Sequence, residues 1–300
     1  MTSFEEALKI FYTRVGQRYL VQTQDGSQYL PMVEPPQDGF SKHLNGEITL
    51  ALNLVSPEGL VKTLVVDFDG VFHAGQGSTT LEALKRLYEA LMQELELPEP
   101  AISVSGRKGY GLWLSLAEPI PATQAQAFLR GLKAVYLANV SHVDLRPDCS
   151  EPTKAAQAVV KLPPCLHRSN NKWSAFINIE EAHQYIENPW LDNKPDLQKQ
   201  AGILGKLRSI TATEFSKAFN ILKNKLEELG LSKTEFEKQA PDFSQAPSKE
   251  YLPPCVKFLV EQGVPDGMDY HTANLNLANY GHSANLTREN TLKLVSTMSD

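Results

Sequence analysis

The sequence predicts an α+β fold: a ferredoxin-like, RRM-like β-α-β-β-α-β unit over residues 63 to 145, further strands before and after it, and an all-α module at the C-terminus. Three observations carry this expectation. The apolar run TLVVDFDGVF at 63 to 72 has strand character, and two stretches downstream carry helical periodicity. Between those stretches, AISVS and YGLWLSL are joined by the tight turn GRKG and must run antiparallel.

Each element has its own signal. In STTLEALKRLYEALMQELEL, Leu81, Leu84, Leu87, Leu91 and Leu95 recur at three- and four-residue steps, and Pro98 and Pro100 close the helix. In YGLWLSL, Leu112, Leu114 and Leu116 alternate onto one face. TQAQAFLRGLKAVYLANV sets Phe128, Leu132, Val135 and Tyr136 at helical spacing, and SHVDL returns to an extended pattern. The stretch SKHLNGEITLALNLV is expected to add strands supporting the same sheet, and AAQAVVKLPPCLHRSNNKWSAFIN to form two strands around a loop.

A second module is expected from about residue 190, dividing the chain into 1–190 and 191–300. In TATEFSKAFNILKNKLEELG, Thr211 and Glu214 form a capping box, Phe215, Phe219, Leu222, Leu226 and Leu229 the buried stripe, and Gly230 the stop. QAPDFSQAPSKEYLPP reads as a linker, followed by helices near 255–262 and 287–298.

Composition limits the function classes. At 300 residues, 42% hydrophobic and 21% charged, the chain can bury a sizeable core. No apolar run approaches the roughly 20 residues of a membrane span, and the N-terminus carries acidic residues where a secretory leader would be basic. A cytoplasmic protein without a membrane partner is the expectation. The three cysteines, Cys149, Cys165 and Cys255, make no disulfide framework. A net charge of -6 argues against an overall grip on nucleic acid and leaves room for a local basic groove.

The chemistry concentrates at Asp67 and Asp69. Side chains two apart on a strand share a face, so these carboxylates form an oxygen-rich patch suited to hard divalent cations. A similar D-x-D-G opens the haloacid-dehalogenase-type phosphatases, whose first Asp is a nucleophile, and a solvated strand end is the plainest alternative. The directly joined antiparallel strands decide against the phosphatase, which needs a parallel sheet and a downstream acidic motif that does not follow. In a ferredoxin-like sheet the last strand lies beside the first, bringing Asp144 to face the patch. Three such carboxylates could hold two divalent ions for phosphoryl or nucleotidyl transfer. Lys161, His167, Arg168 and Lys172 follow as four groups able to donate to phosphate.

HLNGEITL, VVDFDG, SGRKGYGLW, HVDL and KLPPCLHRSNNKWSAFI, in that order, resemble the archaeo-eukaryotic primase superfamily, and look most like the primase-polymerases of mobile elements and defence loci. LPPCVKFLVEQGVPDGMDYHTANLNLANYG is similar to the helical module that often follows such domains. The resemblance implies that Asp67, Asp69 and Asp144 bind two catalytic Mg²⁺ or Mn²⁺ ions. It implies that Ser105 and Gly106 begin the motif contacting the incoming nucleotide's phosphates, and that Lys161 and His167 also bind the nucleotide. Nucleoside triphosphates would be the substrate and single-stranded DNA the template. With no P-loop in the chain, unwinding would come from a separate helicase or defence-system protein.

One position departs from the pattern. The family's motif S-G-x-x-G-x-H ends in histidine, and SGRKGYG has Gly111 there. Either Arg107 or Lys108, flanking the same turn, offsets the missing donor, or the chain has lost catalysis and kept single-stranded nucleic-acid binding. Among the remaining candidates, Cys149, Cys165 and His167 lack the paired spacing of a zinc site, and free cysteines are expected. Trp113 could stack a template base or serve as core. Tyr270, His271 and Asn274 could touch template or form a polar helix face.

Overall fold

A computed structural model describes residues 4–11, 19–22, 29–32, 39–56, 58–69, 77–148 and 159–230. The central sheet is built on β4 (Leu60–Phe68), which begins three residues before the expected strand and ends one short of Asp69. Beside it lie β5 (Ala101–Val104), β6 (Tyr110–Pro121), β7 (Val143–Arg146) and the late strand β11 (Ala175–Ile177). Their order is β11-β5-β6-β4-β7, with every neighbouring pair antiparallel. Within it, β5-β6-β4-β7 is the ferredoxin-like arrangement the sequence predicts, the last strand of the unit lying beside the first. This antiparallel sheet also lacks the parallel order a dehalogenase-type phosphatase requires.

Alternation gives the sheet two faces. Leu64, Val66 and Phe68 of β4, Ile102 and Val104 of β5, and Leu112, Leu114 and Leu116 of β6 all point to one core. Helices α3 (Gly77–Gln93) and α4 (Ala122–Tyr136) cover that face, and Leu84, Leu87, Leu91, Phe128 and Leu132 are wholly buried beneath them. Each such side chain contributes about 2 kcal/mol by leaving water. Val65, Ala101, Trp113 and Phe176 point the other way, into a second core with α1 (Phe4–Leu8), Phe11 and Leu44 of α2 (Gly39–Leu44).

That second core is closed by a second sheet, in which the N-terminal strands support the first from across the core instead of joining it. Strands β1 (Tyr19–Gln22), β2 (Tyr29–Met32) and β3 (Leu50–Asn53) combine with the distant β8 (Val159–Lys161) in the order β2-β1-β3-β8. Leu50 and Leu52 face the mixed side of the central sheet, and β3 pairs Ala51 with Lys161. The KLPPC segment also departs from the two strands expected. Pro163 and Pro164 offer no N–H to a ladder, so β8 stops at Lys161. Beyond them β9 (Leu166–His167) and β10 (Lys172–Trp173) form a hairpin, and β11 returns to the central sheet beside β5.

Two helices follow, α5 (Leu197–Leu204) and α6 (Ala212–Glu228). The capping box is present: Thr211 Oγ1 accepts from the Glu214 N–H at 3.3 Å, and Glu214 Oε2 accepts from the Thr211 N–H at 2.9 Å. Gly230 follows at φ 70°, as the expected stop. Helix α6 packs on α4, with Phe215 and Phe219 rings 4.9 and 6.0 Å from Phe128. Its Phe215, Ala218 and Leu222 belong to the central core, so this packing crosses the boundary expected near residue 190. The expected linker, the last two helices, and Tyr270, His271 and Asn274 lie outside the described residues.

Candidate active site

The register of the central sheet sets the site. Asp144 of β7 pairs with Asp67 of β4, Asp67 with Gly111 of β6, and Gly111 with Ser103 of β5. Directly opposed residues in antiparallel strands share a face with Cβ atoms about 5 Å apart, so the row crosses the mixed side of the sheet. Asp67 is half-buried, and its carboxyl is pushed up to about 7. Burial is the main cause, with Asp69 and Asp144 adding like charge while Arg146 and Lys161 pull the other way.

Asp69 sits one residue beyond β4, and its N–H donates to the His142 carbonyl at 2.9 Å, tying the strand end to the loop before β7. Its Oδ2 lies 3.5 Å from Lys108 Nζ. Asp144 is exposed and accepts from Arg146 Nη2 at 3.0 Å. Asp67, Asp69 and Asp144 therefore occupy one end of the sheet, while the two outer carboxylates are engaged by cations. Among the described residues no three His, Cys, Asp or Glu side chains converge as ligands around one point. The donor set available there is oxygen only, which suits hard divalent ions.

The GRKG turn lies against this end. Ser105 Oγ accepts from the N–H groups of Arg107, Lys108 and Gly109 at 3.2, 2.8 and 2.9 Å, so its oxygen organises the turn. Gly106 has φ +80° and donates its N–H to the Pro189 carbonyl at 3.0 Å. Gly109 lies flat on the strand end: a Cβ there would come 1.6 Å from the Phe68 carbonyl oxygen. Only glycine lets the turn approach β4 closely enough to bring Lys108 to Asp69.

Opposite the carboxylates stand Lys161 of the second sheet and His167 of the β9–β10 hairpin. Burial pulls the Lys161 ammonium below its usual range, against the attraction of Cys165, Asp67 and Asp69. His167 is buried and pushed down to about 4, first by burial and then by Lys161, Arg107 and Lys108. Its Nδ1 lies 3.0 Å from Ser169 Oγ. The imidazole is thus neutral near pH 7, while Lys161, Arg107 and Lys108 make a local positive group in a chain of net charge -6.

Two of the four expected phosphate donors are turned elsewhere. Arg168 donates to the Glu47 carbonyl and Lys172 pairs with Asp192. Arg146 was not anticipated. Its position two residues after Asp144 on a strand, in HVDLR, is the signal that puts both side chains on one face.

Gly111 has a structural cause. Trp113 Nε1 donates to Ser103 Oγ at 2.9 Å, and a Cβ at Gly111 would lie 2.7 Å from that nitrogen and 2.8 Å from that oxygen. Trp113 is 4% exposed, with Phe11 and Phe176 rings 5.4 and 6.0 Å away. It is a core residue, which removes it as a platform for a template base. Cys165 is wholly buried with Sγ 3.1 Å from Ser174 Oγ, and among the described residues it belongs to no metal-ligand cluster; Cys149 lies outside them.

Residues 11–196 match the family model described as TOTE conflict system, Archaeo-Eukaryotic Primase domain. Among solved structures, the chain is similar to the AEP domain of the cyanophage S-2L primase-polymerase, with 11% identity over 67% of this chain and 96% of that one, at a TM-score of 0.39. It is also similar to the polymerase domain of Mycobacterium tuberculosis Ligase D in complex with DNA, with 13% identity over 76% of this chain and 77% of that one, at a TM-score of 0.34. No curated protein matches the chain.

Proposed function

Since the chain belongs to the archaeo-eukaryotic primase domain family of TOTE conflict systems, we propose that it is a template-dependent nucleotidyltransferase, a DNA primase-polymerase acting on nucleoside triphosphates along single-stranded DNA. The observation that carries this reading is the pairing of Asp67 with Asp144 across β4 and β7, with Asp69 at the strand end and Lys161 facing them from the second sheet.

Asp67, Asp69 and Asp144 would hold two Mg²⁺ or Mn²⁺ ions, which when bound activate a 3′ hydroxyl and neutralise the triphosphate and the leaving pyrophosphate. Lys108 beside Asp69 and Arg146 beside Asp144 would place two cations next to the substrate's phosphates. Lys161 and Arg107 would bind the triphosphate with Lys108 as charge, and neutral His167 would donate or accept one hydrogen bond. Ser105 and Gly106 would act through the turn that presents those cations. The acting residues all lie within 1–190, supported by α5 and α6, with the C-terminal residues and a separate helicase or defence-system protein handling template.

Gly111 favours a second reading. With no side-chain donor opposite Asp67, the chain could bind single strands without extending them. The test is incorporation of labelled nucleotides on single-stranded DNA, with and without primer, in Mg²⁺ and in Mn²⁺, comparing the natural chain with Asp67→Ala. Incorporation lost in the variant supports the polymerase. Inactivity of both proteins with equal strand binding supports the binding module.

A further inference from the structure

On the far side of Asp144 a cavity of about 460 Å³ opens between β7 and α4. Strand β7 is the edge of the central sheet, so its outer side is free of any neighbouring strand among the described residues. Gln126, Arg130 and Lys133 of α4 line one wall, and Asp144, Arg146 and Asp148 line the other. Asp144 is thus shared between the cavity and the carboxylate row.

The charges in this cavity are unevenly satisfied. Asp144 is paired with Arg146 at 3.0 Å, and Asp148 accepts from Gln126 Nε2 at 3.2 Å. Lys133 Nζ donates to the Val143 carbonyl at 2.9 Å, a neutral group that fixes the ammonium without cancelling its charge. Among the described residues neither Lys133 nor Arg130 has a carboxylate partner. Arg130 lies three residues before Lys133, about 4.5 Å along the helix axis, so two cations without a carboxylate partner among the described residues run in line along the wall, facing Asp148 on the other. Arg146 on β7 adds a third cation to the lining, paired with Asp144.

We propose that this cavity seats successive phosphates of a nucleic-acid strand whose end lies at Asp144. The ligand chemistry is a phosphate anion, and two sources supply it: the backbone of a strand or a free nucleoside triphosphate. Cations spread along a helix and onto an edge strand match a row of single charges better than one compact polyphosphate. The proposal rests on the polymerase reading only for its direction, because the strand runs off the carboxylate row.

The full chain, the single variant Arg130→Ala and the double variant Arg130→Ala/Lys133→Gln are titrated against a fluorescein-labelled single-stranded oligonucleotide over a range of salt, with ATP as unlabelled competitor. Incorporation is measured in parallel for all three. The expected result is weaker strand binding, about tenfold in the double variant, with the slope of log affinity against log salt reduced by about one per cation removed. Arg130→Ala, which removes no hydrogen bond or ion pair among the described residues, shows the smaller effect of the same sign, and an unchanged urea midpoint excludes misfolding as its cause. Unchanged strand binding in Arg130→Ala and in the folded double variant overturns the proposal, and so does absence of strand binding by the natural chain. A loss confined to competition by ATP also overturns it and assigns the cavity to free nucleotide. Incorporation by the natural chain with variant-insensitive binding leaves the polymerase reading standing; variant-sensitive binding without incorporation does the reverse.

Discussion

At the scale of single residues, Gly111 and His43 show how packing constrains chemistry. The space a histidine would need at 111 is occupied by the hydrogen bond from Trp113 Nε1 to Ser103 Oγ. Gly111→His should therefore lower stability by about 3 kcal/mol, through overpacking and loss of that bond, without raising nucleotide incorporation. Urea denaturation together with the incorporation assay checks both parts. A stable and more active variant would mean that the indole moves freely. His43 is wholly buried, its Nδ1 accepting from the Leu50 N–H at 3.1 Å, and burial pushes it down to about 4. The folded value lies below the ordinary 6.5, so the unfolded chain binds the proton more tightly. The stability that neutral His43 contributes is complete above pH 6.5 and is lost as the pH falls toward 4, amounting to about 3 kcal/mol over that window. Urea midpoints at pH 7 and pH 5 should differ by less in His43→Gln than in the natural chain.

At the scale of elements, much was legible because it depended on local pattern. The leucine spacing of α3, the alternation of β6 and the Thr211–Glu214 box are each set within a few turns or strand residues, and each is present. The Asp67–Asp144 pairing followed once the ferredoxin-like order was read, since that order dictates which strand neighbours which. What stayed hidden was long-range register. Nothing in the period of Leu50–Asn53 says that its partner lies more than a hundred residues on at Val159–Lys161. For the same reason the second sheet is not legible in the sequence, and only the resemblance brings Lys161 to the carboxylates. The contacts of Arg168 and Lys172 are equally hidden in the sequence, because their acceptors, the Glu47 carbonyl and Asp192, come from other segments. Helix α6 makes this point testable: Leu222 is wholly buried, and a Cβ on Gly131 of α4 would lie 2.7 Å from its Cδ2. If α6 is part of the catalytic unit's core, Leu222→Ala lowers its unfolding free energy by about 2 to 5 kcal/mol in one cooperative transition. A separate, earlier transition confined to the helical residues would place α6 in its own unit.

At the scale of the whole molecule, two sheets face each other across a shared core, one supplying carboxylates and the other an opposing ammonium. The proposed polymerase reading requires divalent ions between the two, with the three aspartates as their oxygen donors. The most direct measurement is Mn²⁺ binding to the full chain, followed by electron paramagnetic resonance of the free ion with ATP present, for the natural protein, Asp67→Asn and Asp144→Asn. The account predicts saturable Mn²⁺ binding by the natural chain that is weakened at least tenfold by each substitution, with the fold retained. Equal Mn²⁺ binding by all three proteins would contradict it and separate these carboxylates from any metal-dependent chemistry.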